Sequence, residues 1–137
     1  MGKAIADFHT HTFFSDGILS PVELIRTGQL NGYNLIAVTD HASASTLERV
    51  IKEVKEDCRL AEEYWGIKVL AGVELTHVPA GAIGILARRA RACGAEIVVV
   101  HGETIVEPVE AGTNRAAVNC PEVDILAHPG LITPEEA

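Results

Sequence analysis

The stretch MGKAIADFHTHTFFSDGILSP, residues 1–21, contains the pattern that decides the fold: an apolar run, a polar loop and the start of a helix. The apolar run at residues 3–8 predicts a strand. Ser20 suits the N-cap of the helix, and Pro21 suits its first position. Glu23 lies three residues after Ser20 and completes a capping box. A strand, a loop and a helix therefore follow one another within a short segment.

The same succession returns along the whole chain. Further strands are predicted at residues 34–39, 67–75, 96–100 and 124–127. Further helices are predicted at residues 46–64 and 79–93, with an ambiguous short helix at 112–119 and a helix start at 133–136. Alternating strands and helices indicate an α/β fold with a parallel sheet, either open and doubly wound or part of a β/α barrel. No nucleotide-binding glycine motif follows any strand, which removes the usual reason for the open form.

The composition fits one domain with an aliphatic core. Of 137 residues, 47% are hydrophobic and only 4% are aromatic. The net charge is −8 and no run of Lys or Arg occurs, so electrostatic capture of nucleic acid or of an anionic membrane is not indicated. Cys58, Cys93 and Cys120 are widely spaced, which favours small buried hydrophobic residues over a disulfide framework. With no signal peptide and no apolar run of membrane-spanning length, we expect a cytoplasmic protein.

Every histidine of the chain lies at or beyond the carboxyl end of a predicted strand. The polar residues at these ends are His9, His11, Asp16, Asp40, His41, Glu74, His77, His101, Glu103 and His128. Parallel strands bring their carboxyl ends to one face, and in β/α barrels that face carries the chemistry. Imidazoles together with carboxylates are the ligands expected for zinc, iron or manganese. The set therefore predicts a metal site distributed over the strand ends.

Some members of this set have a second interpretation. His77 could be an ordinary polar loop residue, because its strand already supplies Glu74. Asp40 could cap a loop or orient His41, and we favour the orienting role. Glu103 suits a solvated or supporting position better than a ligand position.

The motifs DFHTHTFFSDG, TDH, GVELTH, VVVHGET and LAHPG, in this order and spacing, resemble the PHP superfamily, named for polymerase and histidinol phosphatase. More narrowly, the chain is similar to stand-alone histidinol-phosphatase-like proteins of archaeal type. The resemblance implies a distorted seven-stranded β/α barrel that holds two to three divalent ions, Zn, Mn or Fe, at the strand ends. It also implies hydrolysis of phosphoesters, with phosphomonoesters as the first expectation.

The resemblance implies these metal ligands: His9 and His11 for a first ion, Glu74 as a bridge, His101 and His128 for a second ion, and Asp16 and His41 for a third. Family members continue through a later strand with an Asp-x-His motif that closes the first and third sites. The resemblance thus implies that residues 1–137 are a single but incomplete PHP domain. We expect weak or absent phosphatase activity from this chain and self-association through the open edges of strands one and five.

Two further residues are candidates for the catalytic machinery beside Glu74. Arg115 could bind phosphate in a bidentate manner, or could be an exposed arginine at a helix start. His77 is a candidate acid or substrate contact. The expected partner is a small phosphorylated substrate, and nucleic acid is possible but not favoured. Two other functions remain open: a metal-dependent amidohydrolase, which usually adds a strand-end Lys not found here, and a non-catalytic metal-binding module.

Overall fold

The computed structural model describes residues 4–137, and its elements alternate as the sequence predicts. The strands are β1 (Ala6–Thr10), β2 (Leu35–Val38), β3 (His41–Ala42), β4 (Lys68–Leu75), β5 (Ile97–His101) and β6 (Ile125–Ala127). The α-helices are α1 (Pro21–Leu30), α2 (Leu47–Trp65), α3 (Ile83–Ala92) and α4 (Thr113–Val118). A short 3₁₀ helix at Ala80–Ala82 precedes α3.

The strands form a parallel sheet in the order β1-β2-β4-β5-β6, and β3 pairs with the carboxyl end of β4. Every pairing is parallel. The strands follow chain order without the reversal that a doubly wound sheet needs, so the fold is part of a β/α barrel. The predicted α/β class is confirmed. Within the described residues, β1 and β6 each pair on one side only, as predicted for strands one and five.

The main core lies between the sheet and its helices. One face of α2 packs into this core, with Val50, Ile51 and Val54 at its centre. Strands β4 and β5 are buried along almost their whole length, as expected for strands covered on both faces. A smaller apolar cluster contains Ala37, Ile97, Val99 and Ala127.

Three elements differ from the prediction by more than one residue at a boundary. Strand β1 extends through His9 to Thr10, and Lys3, the predicted start, lies outside the described residues. The helix predicted at 79–93 begins as a 3₁₀ turn, and the α-helix starts only at Ile83. The predicted helix start at 133–136 is a turn, in which the Thr133 N–H donates to Glu136 Oε2 at 3.0 Å. The ambiguous segment at 112–119 does contain a short helix, α4.

The cysteines behave as the sequence predicts. All three are free, and Cys58 and Cys120 are buried. Burial raises the pKa of the Cys58 thiol to about 12, so this thiol is unreactive at neutral pH. In the described part of the chain, no helix combines the length and the hydropathy needed to cross a bilayer.

Candidate metal centre

The structure brings all six histidines together at the carboxyl ends of the parallel strands. Neighbouring rings lie 4.4–6.0 Å apart between centroids. The pairing of β3 with β4 sets His41 directly beside Glu74 in the sheet register. Each strand thus contributes its polar end to one shared cluster.

Glu74 is the centre of this cluster. Its side chain is fully buried, yet its carboxylate contacts four imidazoles. Oε2 lies 2.8 Å from His9 Nε2, 3.2 Å from His11 Nε2 and 3.2 Å from His41 Nδ1. Oε1 lies 3.6 Å from His128 Nε2 and makes no hydrogen bond. The carboxylate of Glu74, at the end of β4, therefore contacts imidazoles from three other strand ends, since His9 and His11 both lie at the end of β1.

The charges of this cluster are coupled. Burial alone would raise the pKa of Glu74, but hydrogen bonds from His11 and His9 outweigh it and lower the pKa to about 2. Burial would lower the pKa of His11, but its hydrogen bond to Glu74 and the charges of Glu74, Asp16 and Asp40 together outweigh burial and raise that pKa. Burial lowers the pKa of His41 despite the nearby Glu74 charge. Glu74 is therefore an anion at neutral pH and needs no proton loss before it binds a cation.

The His-x-His pair and Asp16 form the outer part of the same face. The Nε2 atoms of His9 and His11 are 3.1 Å apart, as expected for two residues on the same side of an extended chain. Asp16 reaches toward two rings: Oδ1 lies 3.6 Å from His11 Nδ1, and Oδ2 lies 3.4 Å from His41 Nε2. The orientation of the His41 ring is also set by a hydrogen bond between its Nδ1 and Thr76 Oγ1, which are 2.5 Å apart.

Asp40 anchors the loop that carries these residues. Its buried carboxylate accepts hydrogen bonds from the Thr12 N–H at 2.7 Å, the Thr12 hydroxyl at 2.7 Å and the Ser15 hydroxyl at 2.6 Å. The loop is tight, since a Cβ at Gly17 would come within 2.3 Å of the His11 carbonyl oxygen. Asp40 therefore supports His11 and Asp16 through the loop, which is the capping role and not the favoured role of orienting His41.

His101 is the most buried of the six histidines, with only 4% of its surface exposed. Its Nδ1 donates to the Gly102 carbonyl at 3.0 Å, which leaves Nε2 to face the cluster. Nε2 lies 3.0 Å from Oε2 of Glu107. Glu107 was not among the site residues predicted from the sequence. His77 Nε2 lies 4.0 Å from the other oxygen of Glu107.

The backbone is strained at two of these positions. Among residues 4–137, only two non-glycine residues have a positive φ: His77 at 52° and His128 at 35°. Such a conformation costs of order 1–3 kcal/mol and concentrates at functional sites. Both strained residues belong to the histidine cluster.

Two candidates from the sequence lie elsewhere. Glu103 Oε1 accepts hydrogen bonds from the N–H groups of Gly112 and Asn114, both at 2.9 Å, and so caps the start of α4. Arg115 is 69% exposed, and its Nε lies 3.7 Å from Glu136 Oε1. No contact joins Arg115 to the histidine cluster among the described residues, so its phosphate-binding role stays a prediction.

The donor set fits divalent metal ions. Three groups have ligand atoms that all lie within 4.8 Å of one another: His9 with Glu74 and His128, His11 with Asp16 and His41, and His77 with His101 and Glu107. Ligands about 2.0–2.1 Å from a tetrahedral zinc lie about 3.3 Å apart, close to the contacts around Glu74. Two buried donor atoms, Glu74 Oε1 and His11 Nδ1, have no hydrogen-bond partner, and a cation would satisfy both.

These groups differ in part from the ligand sets implied by the resemblance. Asp16 and His41 stay together as predicted, but His11 joins them. His101 groups with His77 and Glu107 instead of His128, although the His101 and His128 rings are only 4.4 Å apart. The assignment of each ligand to an individual ion stays a prediction.

Comparison with known proteins identifies a family and several relatives of this chain. The family model described as PHP domain matches residues 7–111. An uncharacterised protein of Methanocaldococcus jannaschii is 51% identical over 132 residues, which are 96% of this chain and 61% of that protein. A protein of Acetivibrio thermocellus named "Probable phosphatase" is 28% identical, over 93% of this chain and 55% of that protein. The DNA polymerase/3'-5' exonuclease PolX of Bacillus subtilis is 29% identical, over 94% of this chain and 24% of that protein. The chain thus spans less than two thirds of each of these relatives.

Proposed function

Because the chain belongs to the PHP domain family, we propose that it is the metal-binding part of a metal-dependent phosphoesterase that hydrolyses small phosphomonoesters. The observation that carries the proposal is the buried, ionised Glu74, which contacts four imidazoles and keeps one oxygen without a hydrogen bond. The names of the Acetivibrio thermocellus and Bacillus subtilis relatives, a phosphatase and an exonuclease, support phosphoester chemistry. The net charge of −8 favours a small substrate over nucleic acid.

In this proposal the site would hold two to three divalent ions, Zn, Mn or Fe. Glu74 would bridge two of them, and the histidines and Asp16 would be the other ligands. Bound ions would supply an activated water and neutralise the phosphoryl oxygens. The chain's own residues keep the donors in place: the Gly102 carbonyl sets the orientation of the His101 ring, and Asp40 fixes the loop of His11 and Asp16.

Arg115 would bind the substrate phosphate after releasing Glu136, which lies beyond ordinary hydrogen-bond distance at 3.7 Å. Its exposure of 69% leaves the long side chain free to change conformation. Arg115→Ala should then raise KM more than it lowers kcat, because it removes a binding contact and leaves the metal ligands intact.

An assay with an aryl phosphate, an aryl amide and an aryl ester, each with added Mn²⁺, tests the proposal. Release of phosphate that stops in Glu74→Gln and persists in Glu110→Gln would support it. Cleavage of the amide or ester alone would favour the amidohydrolase alternative. If this chain and the longer Methanocaldococcus jannaschii relative both bind metal but cleave none of the three substrates, the non-catalytic module is favoured.

A further inference from the structure

We propose that His77, His101 and Glu107 together bind a divalent cation at the rim of the cluster, a combination of ligands that differs from the sets that the resemblance implies. This inference deepens the proposed function and rests on it for the presence of metal. It assigns ligand roles to Glu107, which sequence reasoning missed, and to His77, in place of the acid or substrate-contact role.

The geometry of the three side chains carries the proposal. Glu107 extends its two carboxylate oxygens toward two different imidazoles, Oε2 at 3.0 Å from His101 Nε2 and Oε1 at 4.0 Å from His77 Nε2. The two rings face each other edge-on, with centroids 5.3 Å apart. Two histidines and one glutamate with an open fourth position form a ligand set that catalytic zinc uses in proteins.

The orientation of His101 supports the assignment. Because a carbonyl oxygen only accepts hydrogen bonds, the contact to Gly102 makes Nδ1 the donor and turns Nε2 toward Glu107. This turn also depends on Gly102, since a Cβ there would meet the Ala127 carbonyl oxygen at 2.7 Å. A ring that is 96% buried and locked from one side differs from an ordinary surface ion pair.

The backbone of His77 gives an independent indication. A surface residue with φ of 52° is usually Gly, Asn or Asp, because other side chains are strained there. Among the described residues, the other non-glycine residue with a positive φ is His128, which also belongs to the histidine cluster. His77 has this strained conformation while its imidazole lies beside Glu107 and His101, as expected if the ring binds a ligand there.

The rim position is open to solvent, unlike the centre at Glu74. The side chains of His77 and Glu107 are 38% and 42% exposed. A cation held there has room for a water molecule or a phosphate oxygen as its next ligand. The resemblance also assigns His101 to an inner ion. Its Nε2 has one lone pair and would bind one cation at a time, together with either the inner donors or the rim donors.

The test is a Co²⁺ titration of the full chain, followed by visible absorption and by equilibrium dialysis with elemental analysis. Glu107→Gln keeps the shape of the side chain, and His77→Asn removes the imidazole while tolerating the positive φ. We expect each variant to weaken at least one Co²⁺ site by about tenfold or more. Glu110→Gln is the matched control on the same loop, because its carboxylate contacts the Ala80 N–H and no histidine.

Ring ¹⁵N spectra of the histidines provide a direct readout with Zn²⁺. We expect the His77 ring signals to shift on Zn²⁺ addition in wild type and to stay unchanged in folded Glu107→Gln. Unchanged His77 signals in wild type, or wild-type Co²⁺ affinity and stoichiometry in both variants, would overturn the rim site. If either of these results is accompanied by phosphate release from wild type, the rim site alone is refuted and the proposed function stands. Rim binding without any phosphate release, either by this chain or by the longer Methanocaldococcus jannaschii relative, would refute the proposed function alone.

Discussion

Replacing Glu74 with glutamine should damage metal binding more than any other single change. The substitution keeps the size of the side chain and removes the charge that lies 2.8–3.6 Å from four imidazoles. Loss of a supporting partner behind a metal ligand typically costs 10–100-fold in affinity. Glu74 is itself a ligand in this proposal, so we expect at least the upper end of that range, about 100-fold or about 2.7 kcal/mol.

The assay for Glu74→Gln is competition of the chain with a chromophoric chelator for Zn²⁺ at pH 7. Because the pKa of Glu74 is about 2, the wild-type carboxylate is fully charged at that pH, and the comparison measures loss of a charged ligand. Glu110→Gln is again the control, and circular dichroism checks that each variant is folded. If Glu74→Gln retains the zinc affinity of wild type within twofold, the bridging role is wrong.

Asp40→Asn should weaken zinc binding by about tenfold, because it loosens the loop of His11 and Asp16, and unchanged affinity in the same competition assay would contradict its anchoring role. Glu62→Gln should destabilise the fold by at most about 1 kcal/mol at pH 7, since Glu62 pairs with Lys68 at 2.8 Å in a partly exposed position. The Lys68 hydrogen bond lowers the pKa of Glu62, so this contribution is present above its unfolded pKa of 4.5 and is lost as the pH falls through the lower folded value. Urea unfolding should therefore show a larger difference from wild type at pH 7 than at pH 3, with Glu63→Gln neutral at both. The one-sided pairing of β1 and β6 predicts concentration-dependent association in sedimentation velocity, which a stable 14.6 kDa monomer with robust phosphatase turnover would refute.

The sequence predicted those elements whose signals are local. The capping box of Ser20 and Glu23 forms as expected, with the Ser20 N–H donating to Glu23 Oε2 at 2.9 Å. Helical spacing also predicts a buried stripe on α2. Trp65 at its end is partly exposed, whereas its first six positions are buried: Leu47, Val50, Ile51, Val54, Cys58 and Ala61. The clustering of histidines at strand ends also follows from a local pattern, because parallel strands align their carboxyl ends whatever the loops do.

The features that sequence reasoning missed depend on contacts between distant segments. Strand β3 has two residues and no periodicity, and it exists because His41 and Ala42 pair with the end of β4. Glu107 lies in a loop without a repeating pattern, six positions beyond His101, and only the fold of that loop brings its carboxylate to the ring. Asp40 follows β2 beside His41 in the sequence, but its partners Thr12 and Ser15 belong to another loop.

The central claim, that strand-end imidazoles and Glu74 hold divalent metal, is tested most directly by X-ray absorption at the zinc edge. The sample is the chain reconstituted with Zn²⁺ and then dialysed exhaustively. We predict at least one retained zinc per chain, with nitrogen and oxygen ligands at about 2.0–2.1 Å and the multiple scattering of imidazole rings. No retained zinc, or a sulfur shell at about 2.3 Å from the cysteines, would contradict the account.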